Sequence, residues 1–305
     1  MAIGNMEFKE ISITDKAWVD ELVALENSRS ADFNFGNLYI WDRFYRQNVA
    51  RLGDRMLTQL CFDGEQVFLF PIGRGPLAPA IEAMREYARE QGFPLCIKGV
   101  TEEHRELLEK EYPGRFSFTE SEGFNDYIYL AEKLATYPGR SLHGKKNSCN
   151  RFCAAYEDWD FVPLGPSLFA DCTDMMDRWL AENKERLHDS IVLENRAVVR
   201  GFEAFEELGM EGGALRVGGL VVAFSVGKMI TGDTFDVFFE KAMMSYEGSY
   251  PMVCRETCRM MMAKYPKLKY INREDDLGLE YLRTSKLSYK PEYILKKYMA
   301  RWIDG

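Results

Sequence analysis

A pair of adjacent glycines sets the strongest local limit on how this chain can fold. Gly218-Gly219 separates two β-forming runs, residues 214–217 and 220–226, and a two-glycine turn between such runs closes a tight antiparallel hairpin. A third β run follows at 234–239. Residues 251–265 then carry Cys254, Cys258, Met261 and Tyr265 along one helical stripe, Pro266 stops the helix, and 269–271 resume a strand. Upstream, helices are expected over 168–180 and over 193–208, the second closed by Gly209. The order fits an α/β (α+β) domain with a mixed, mostly antiparallel sheet flanked by helices.

The N-terminal half repeats this order without repeating the residues. One helix bears Trp18, Leu22, Val23 and Leu25, and a second holds Leu38, Tyr39, Trp41, Phe44 and Tyr45. Strands follow at 56–62 and 66–70, then a helix at about 79–91, a short strand at 95–97, a charged helix at 102–111, and final strands at 116–118 and 127–130. Two such halves place a boundary near Tyr137-Pro138-Gly139, giving domains 1–138 and 139–305. Gly73-Arg74-Gly75 reads as a tight turn, with a phosphate cradle as the competing reading.

The C-terminal stretch 269–301 concentrates polar residues. Asn272-Arg273-Glu274-Asp275-Asp276 ends a strand, Asp276 suits a helix N-cap, and Leu277, Leu279, Tyr281 and Leu282 recur at helical spacing. Pro291 breaks the helix and 293–295 begin the last strand.

The 305 residues suffice for two ordinary domains, and 46% apolar with 29% charged content reads as globular. A net charge of −9 gives no bulk attraction to nucleic acid or anionic membrane, so any anion site must be local. No signal peptide and no membrane-spanning run is expected, and seven cysteines without a disulfide framework fit a reducing cytoplasm. Cys149/Cys153 and Cys254/Cys258 are spaced i, i+4, which suits a helix face and not a zinc knuckle; no metal site is expected. Residues 139–146 approach a P-loop, but Lys146 stands where a magnesium-binding hydroxyl is required.

Three stretches carry a resemblance: INREDDLGLEYLRTSKLSYKP, DFNFGNLYIWDRFY at 32–45 and GKKNSCNRF at 144–152. Together they resemble the bacterial domain family that includes the catalytic C-terminal domain of phosphatidylglycerol lysyltransferases. The resemblance implies two GNAT-like acyltransferase folds in tandem and transfer of an aminoacyl group from aminoacyl-tRNA to an amine or hydroxyl. A small molecule, a peptide or a lipid headgroup would be the acceptor. Acyl-coenzyme A is the alternative donor, and a catalytically silent ligand-binding protein is the alternative of another class. No tightly bound cofactor is expected, and attack is direct.

In a GNAT fold two parallel strands part in mid-sheet and open a slot, with the donor's phosphates at the N-terminus of the next helix. Here those strands are 234–240 and 269–272, which puts Glu240 and Lys241 at the slot's mouth; the two also fit a simple ion pair with each other. The loop Tyr246-Glu247-Gly248-Ser249-Tyr250 has one glycine and an acid where a pyrophosphate would sit, which disfavours coenzyme A. Asn272, Arg273, Glu274 and Asp275 follow a strand end, a common place for a site. Glu240, Glu274 and Asp275 are candidates to deprotonate or hold an acceptor amine, and Tyr289 to protonate a leaving oxygen. Arg273, Arg283 and Lys286 are candidates to face a phosphate or developing oxyanion. The resemblance places Lys145, Lys146, Asn147, Asn150 and Arg151 where a tRNA end or another phosphate would dock; the bland reading of residues 140–151 is a solvated basic linker.

Overall fold

The chain pairs its strands in an order that local pattern does not specify. The computed structural model describes residues 7–182 and 189–303. It divides into two compact units, Met1–Asp126 with Leu295–Gly305, and Tyr127–Ile294.

The first unit contains β1 (Lys9–Glu10), α1 (Lys16–Glu26), α2 (Phe35–Ile40), α3 (Asp42–Tyr45), β2 (Asn48–Leu52), β3 (Arg55–Phe62), β4 (Glu65–Leu69), β5 (Ile72–Gly73), α4 (Ala78–Gln91), β6 (Cys96–Val100), α5 (Glu102–Glu111) and β7 (Phe116–Glu120). The second contains β8 (Asp126–Leu130), α6 (Ala131–Thr136), α7 (His143–Ala155), β9 (Trp159–Pro163), α8 (Phe169–Glu182), α9 (Asp189–Glu203), α10 (Phe205–Leu208), β10 (Glu211–Val217), β11 (Leu220–Met229), β12 (Thr234–Ala242), α11 (Ser249–Lys264), β13 (Tyr270–Asn272), α12 (Glu280–Ser288) and β14 (Tyr293–Leu295). The chain ends with β15 (Tyr298–Trp302).

The sheet of the first unit runs β1-β2-β3-β4-β6-β15-β7, with β5 also on β3; that of the second runs β14-β8-β13-β12-β11-β10-β9. Here the structure departs from the sequence-level division at 138/139. Residues 127–130 do not close the first sheet. They pair antiparallel with β13, Tyr129 opposite Ile271. The last strand of the chain enters the first sheet instead, antiparallel to both β6 and β7. The expected single strand from 293 is thus two strands in different sheets, interrupted at Lys296-Lys297. Lys297 explains the break: its buried ammonium lies 2.8 Å from both Asp32 and Asp126 of the first unit.

In the second unit the glycine pair performs as its chemistry requires. Gly218 and Gly219 have φ of 56° and 79°, and β10 and β11 pair antiparallel across them. The stripe of α11 faces the core, where Cys254, Cys258 and Met261 pack with Phe235, Val237 and Phe152. Each large apolar side chain buried this way contributes about 1.5–3 kcal/mol. The segment 140–151 is not a linker: it forms a short turn and then most of α7. Residues 193–208 are broken at Ala204 into α9 and α10, and β2 and β9 are strands the sequence reading did not mark. Around Gly73 the tight turn prevails, since Arg74 N–H donates to the Asp54 carbonyl and a Cβ at Gly73 would collide with that same oxygen.

Candidate active site

The second unit opens where β12 and β13 separate. They pair in parallel from Thr234↔Tyr270 to Asp236↔Asn272, and β12 then continues to Ala242 while β13 ends and the chain turns away at Arg273. A bulge in β12's other pairing falls at the same level, between Val226 and Gly227. Gly227 is needed there, because a Cβ would meet the Asp236 carbonyl at 1.8 Å.

Into this gap the fold brings residues from five elements. Arg273 Nη2 donates to Glu240 Oε1 at 2.7 Å, with both side chains nearly buried. The guanidinium lies 4.4 Å from the centre of the Tyr289 ring, and Lys145 of α7 sets its ammonium 3.7 Å from the same ring. Lys286 of α12 donates to the carbonyls of Arg273 and Glu274, and its own carbonyl accepts from the Tyr129 hydroxyl at 2.8 Å. Three cations thus share one carboxylate, and Arg273 Nη1 is buried with no acceptor among the described residues. Burial raises the Glu240 pKa, with Arg273, Lys286 and Lys145 acting against it. Burial, and then the charge of Arg273, push the Lys145 pKa down.

The turn after β13 is held by a different carboxylate. Asp276 is fully buried and accepts from Tyr127 hydroxyl at 2.6 Å, Gly278 N–H at 2.8 Å and Arg283 Nε at 2.9 Å. Burial works to raise its pKa, but these donors hold it below the usual carboxylate range. This corrects the expected N-cap. Glu274, Leu277 and Gly278 take positive φ, so the chain makes another turn and α12 starts only at Glu280, with no side-chain cap from Leu279. Arg283 is therefore engaged with Asp276 and does not join the cluster at Glu240. Asn272 accepts from Glu274 N–H, and Asp275 from Leu277 N–H, so both help shape this turn.

The remaining candidates spread out. Glu240 and Lys241 do not pair with each other: Lys241 bonds Glu194 of α9 at 2.5 Å and lies 5.1 Å from the Trp179 ring. Lys146 and Asn150 are exposed on α7, Asn147 contacts His143, and Arg151 meets Glu247 at 3.0 Å. Tyr289 is buried and its phenol pKa lies well above the ordinary value, chiefly from burial; the face of its ring is what Lys145 and Arg273 engage. Tyr127, Tyr129 and Glu194 were missed. The alternation Tyr127-Ile128-Tyr129 was the available signal, since it puts two hydroxyls on one face of a strand.

The loop before α11 is closed from outside. Gly248, with φ of 89°, packs so near α7 that a Cβ would lie 2.5 Å from the Ser148 carbonyl. The Ser249 hydroxyl donates to the Met243 carbonyl at 2.8 Å.

Comparison with known proteins decides the family. Residues 23–301 match the family described as phosphatidylglycerol lysyltransferase, C-terminal. This chain belongs to that family. A crystal structure of a conserved protein of unknown function from Bacteroides thetaiotaomicron is 35% identical, with a TM-score of 0.92 over 98% of this chain and 100% of that one. L-PGS from Bacillus licheniformis superposes with a TM-score of 0.67 at 15% identity, over 99% and 94% of the two chains. A tandem GNAT protein of the clavulanic acid pathway gives 0.52 at 11% identity, over 99% and 100%. The fold of this lysyltransferase-family domain is accordingly tandem GNAT-like. An uncharacterized protein of Mycoplasmoides gallisepticum is 25% identical over 187 residues, which is 60% of this chain and 58% of that relative's length. Among the described residues no helix is long and apolar enough to cross a membrane.

Proposed function

We propose that this domain transfers an aminoacyl group from aminoacyl-tRNA to an amine or hydroxyl acceptor. Family membership supplies the reaction class. The observation that carries the site is the buried Glu240–Arg273 pair at the parting of β12 and β13, with Arg273 Nη1 lacking an acceptor. A carbonyl held in the gap would meet that free N–H as negative charge builds on its oxygen. Glu240 would hold the acceptor by charge, with Glu274 and Asp275 adding to the field from the adjoining turn. Lys146, Asn147, Asn150 and Arg151 on α7 would face donor phosphates, with Lys286 and Asn272 fixing the turn and Lys241 the opposite face. Coenzyme A is the poorer donor: the tight approach at Gly248 and the Glu247 carboxylate leave little for a pyrophosphate at α11.

The test is transfer of radiolabelled amino acid from charged tRNA to a panel of amines, peptides and hydroxyl-bearing headgroups. Glu240→Gln should lower turnover by about 10²–10⁴-fold with donor affinity kept. Transfer from acetyl-coenzyme A alone would overturn the donor assignment. Donor binding without turnover on any acceptor would favour a binding protein.

A further inference from the structure

We propose that Lys145 takes the proton from the attacking nucleophile and returns it to the departing ribose oxygen. This rests on the aminoacyl-transfer reading and deepens it, since sequence reasoning gave Lys145 only a phosphate-binding role.

The geometry sets Lys145 apart from the other bases. Its ammonium sits 3.7 Å from the Tyr289 ring centre and makes no hydrogen bond to a protein oxygen among the described residues. The candidate carboxylates are engaged with other groups: Glu240 with Arg273, Asp275 with the Leu277 amide, Asp276 with Arg283 and Tyr127. The groups that bear electrostatically on Lys145 come from four elements. Arg273 at the end of β13 repels a second cation, and burial adds to this. Cys254 of α11, Glu240 of β12 and Cys149 of α7 itself act the other way. Tyr289, just past α12, offers its ring face. Burial and Arg273 therefore make Lys145 give up its proton more readily than a free lysine, and the ammonium formed on proton uptake is received by the Tyr289 ring and Glu240.

The step balances. The lone pair of the acceptor nitrogen or oxygen attacks the ester carbonyl carbon, and the carbonyl π pair moves onto its oxygen. Lys145 accepts the proton lost by the nucleophile. Collapse re-forms the carbonyl and breaks the bond to the ribose oxygen, which takes the proton back from Lys145. One C–N or C–O bond forms, one C–O bond breaks, and the lysine ends neutral.

Two measurements test this on the whole chain. Competitive acylation of Lys145 across pH, read by peptide mass spectrometry against N-acetyl-lysine amide, should give a midpoint below the control. In transfer assays Lys145→Ala should lose about 10²–10⁴-fold in kcat with its melting temperature kept. Added trimethylamine, a base that forms no stable amide, should restore part of the rate, and Lys145→Arg should stay inactive because guanidinium does not give up its proton. An active Lys145→Arg, or a midpoint at or above the control, overturns the proposal while leaving aminoacyl transfer standing. A wild-type protein that transfers nothing removes both.

Discussion

The Glu240–Arg273 pair predicts an ordered set of stability losses. At 2.7 Å the gross attraction is about 6 kcal/mol at an effective dielectric near 20. Desolvation offsets much of that, because the side chains are only 8% and 12% exposed. Removing one partner of such a pair costs about 3–5 kcal/mol, since the other charge stays buried alone. Glu240→Gln leaves Arg273, Lys145 and Lys286 without a carboxylate, whereas Arg273→Met leaves Glu240 with two lysines nearby. Glu240→Gln should therefore be the more damaging, by roughly 6–20 °C in melting temperature for a unit of this size. The double variant should lose less than the sum of the two. Thermal unfolding followed by circular dichroism, backed by urea titration, measures all three. A Glu240→Gln protein melting within about 2 °C of wild type would refute the reasoning, as would losses that simply add.

Two further outcomes follow from the frame around the site. Lys297→Met should destabilise the first unit by about 3–5 kcal/mol at neutral pH, because it removes the cation that Asp32 and Asp126 share and leaves two buried carboxylates side by side, with Lys98 3.3 Å from Asp32. Burial acts to raise the Asp32 pKa, but Lys297 and Lys98 hold it well below the carboxylate range, so its contribution is present above the unfolded pKa and is lost only in strong acid. In the variant that protection is weakened, and the gap to wild type should narrow as pH falls below the unfolded carboxylate value of 3.8 into strong acid; a gap that widens would contradict the assignment. Gly248→Ala should cost about 1–3 kcal/mol, from positive φ and the 2.5 Å approach to Ser148, and an unchanged melt would show that α7 yields freely at this point.

Much of the fold was legible in short segments because short-range physics decides them. A Gly-Gly turn, a stripe ending in proline and a polar run after a strand each fix a piece of backbone whatever surrounds it. The same locality put Glu240, Arg273 and Tyr289 on the candidate roll. It misplaced Asp276, because an N-cap and a buried acceptor have the same spelling, and only the positive φ at Leu277 and Gly278 separates them. It also joined Glu240 to Lys241, although neighbours on a strand point to opposite faces. Lys145 was read as one charge in a basic run; α7 turns it inward while Lys146 remains outside.

By itself, the sequence determined the helices, most strands, the tandem pattern and the residue types available for acyl transfer, because propensity and periodicity act within a turn or two of chain. The tertiary structure alone decided which strand joins which sheet, sending 127–130 to the second sheet and 298–302 to the first. Strand pairing is settled by burial and register between segments far apart in sequence, and by single buried contacts such as Lys297 with Asp32 and Asp126. That same long-range pairing leaves β12 without its β13 neighbour beyond Asp236, while β11 stays paired on its other side, and so creates the gap in which Glu240, Arg273, Lys145 and Tyr289 meet.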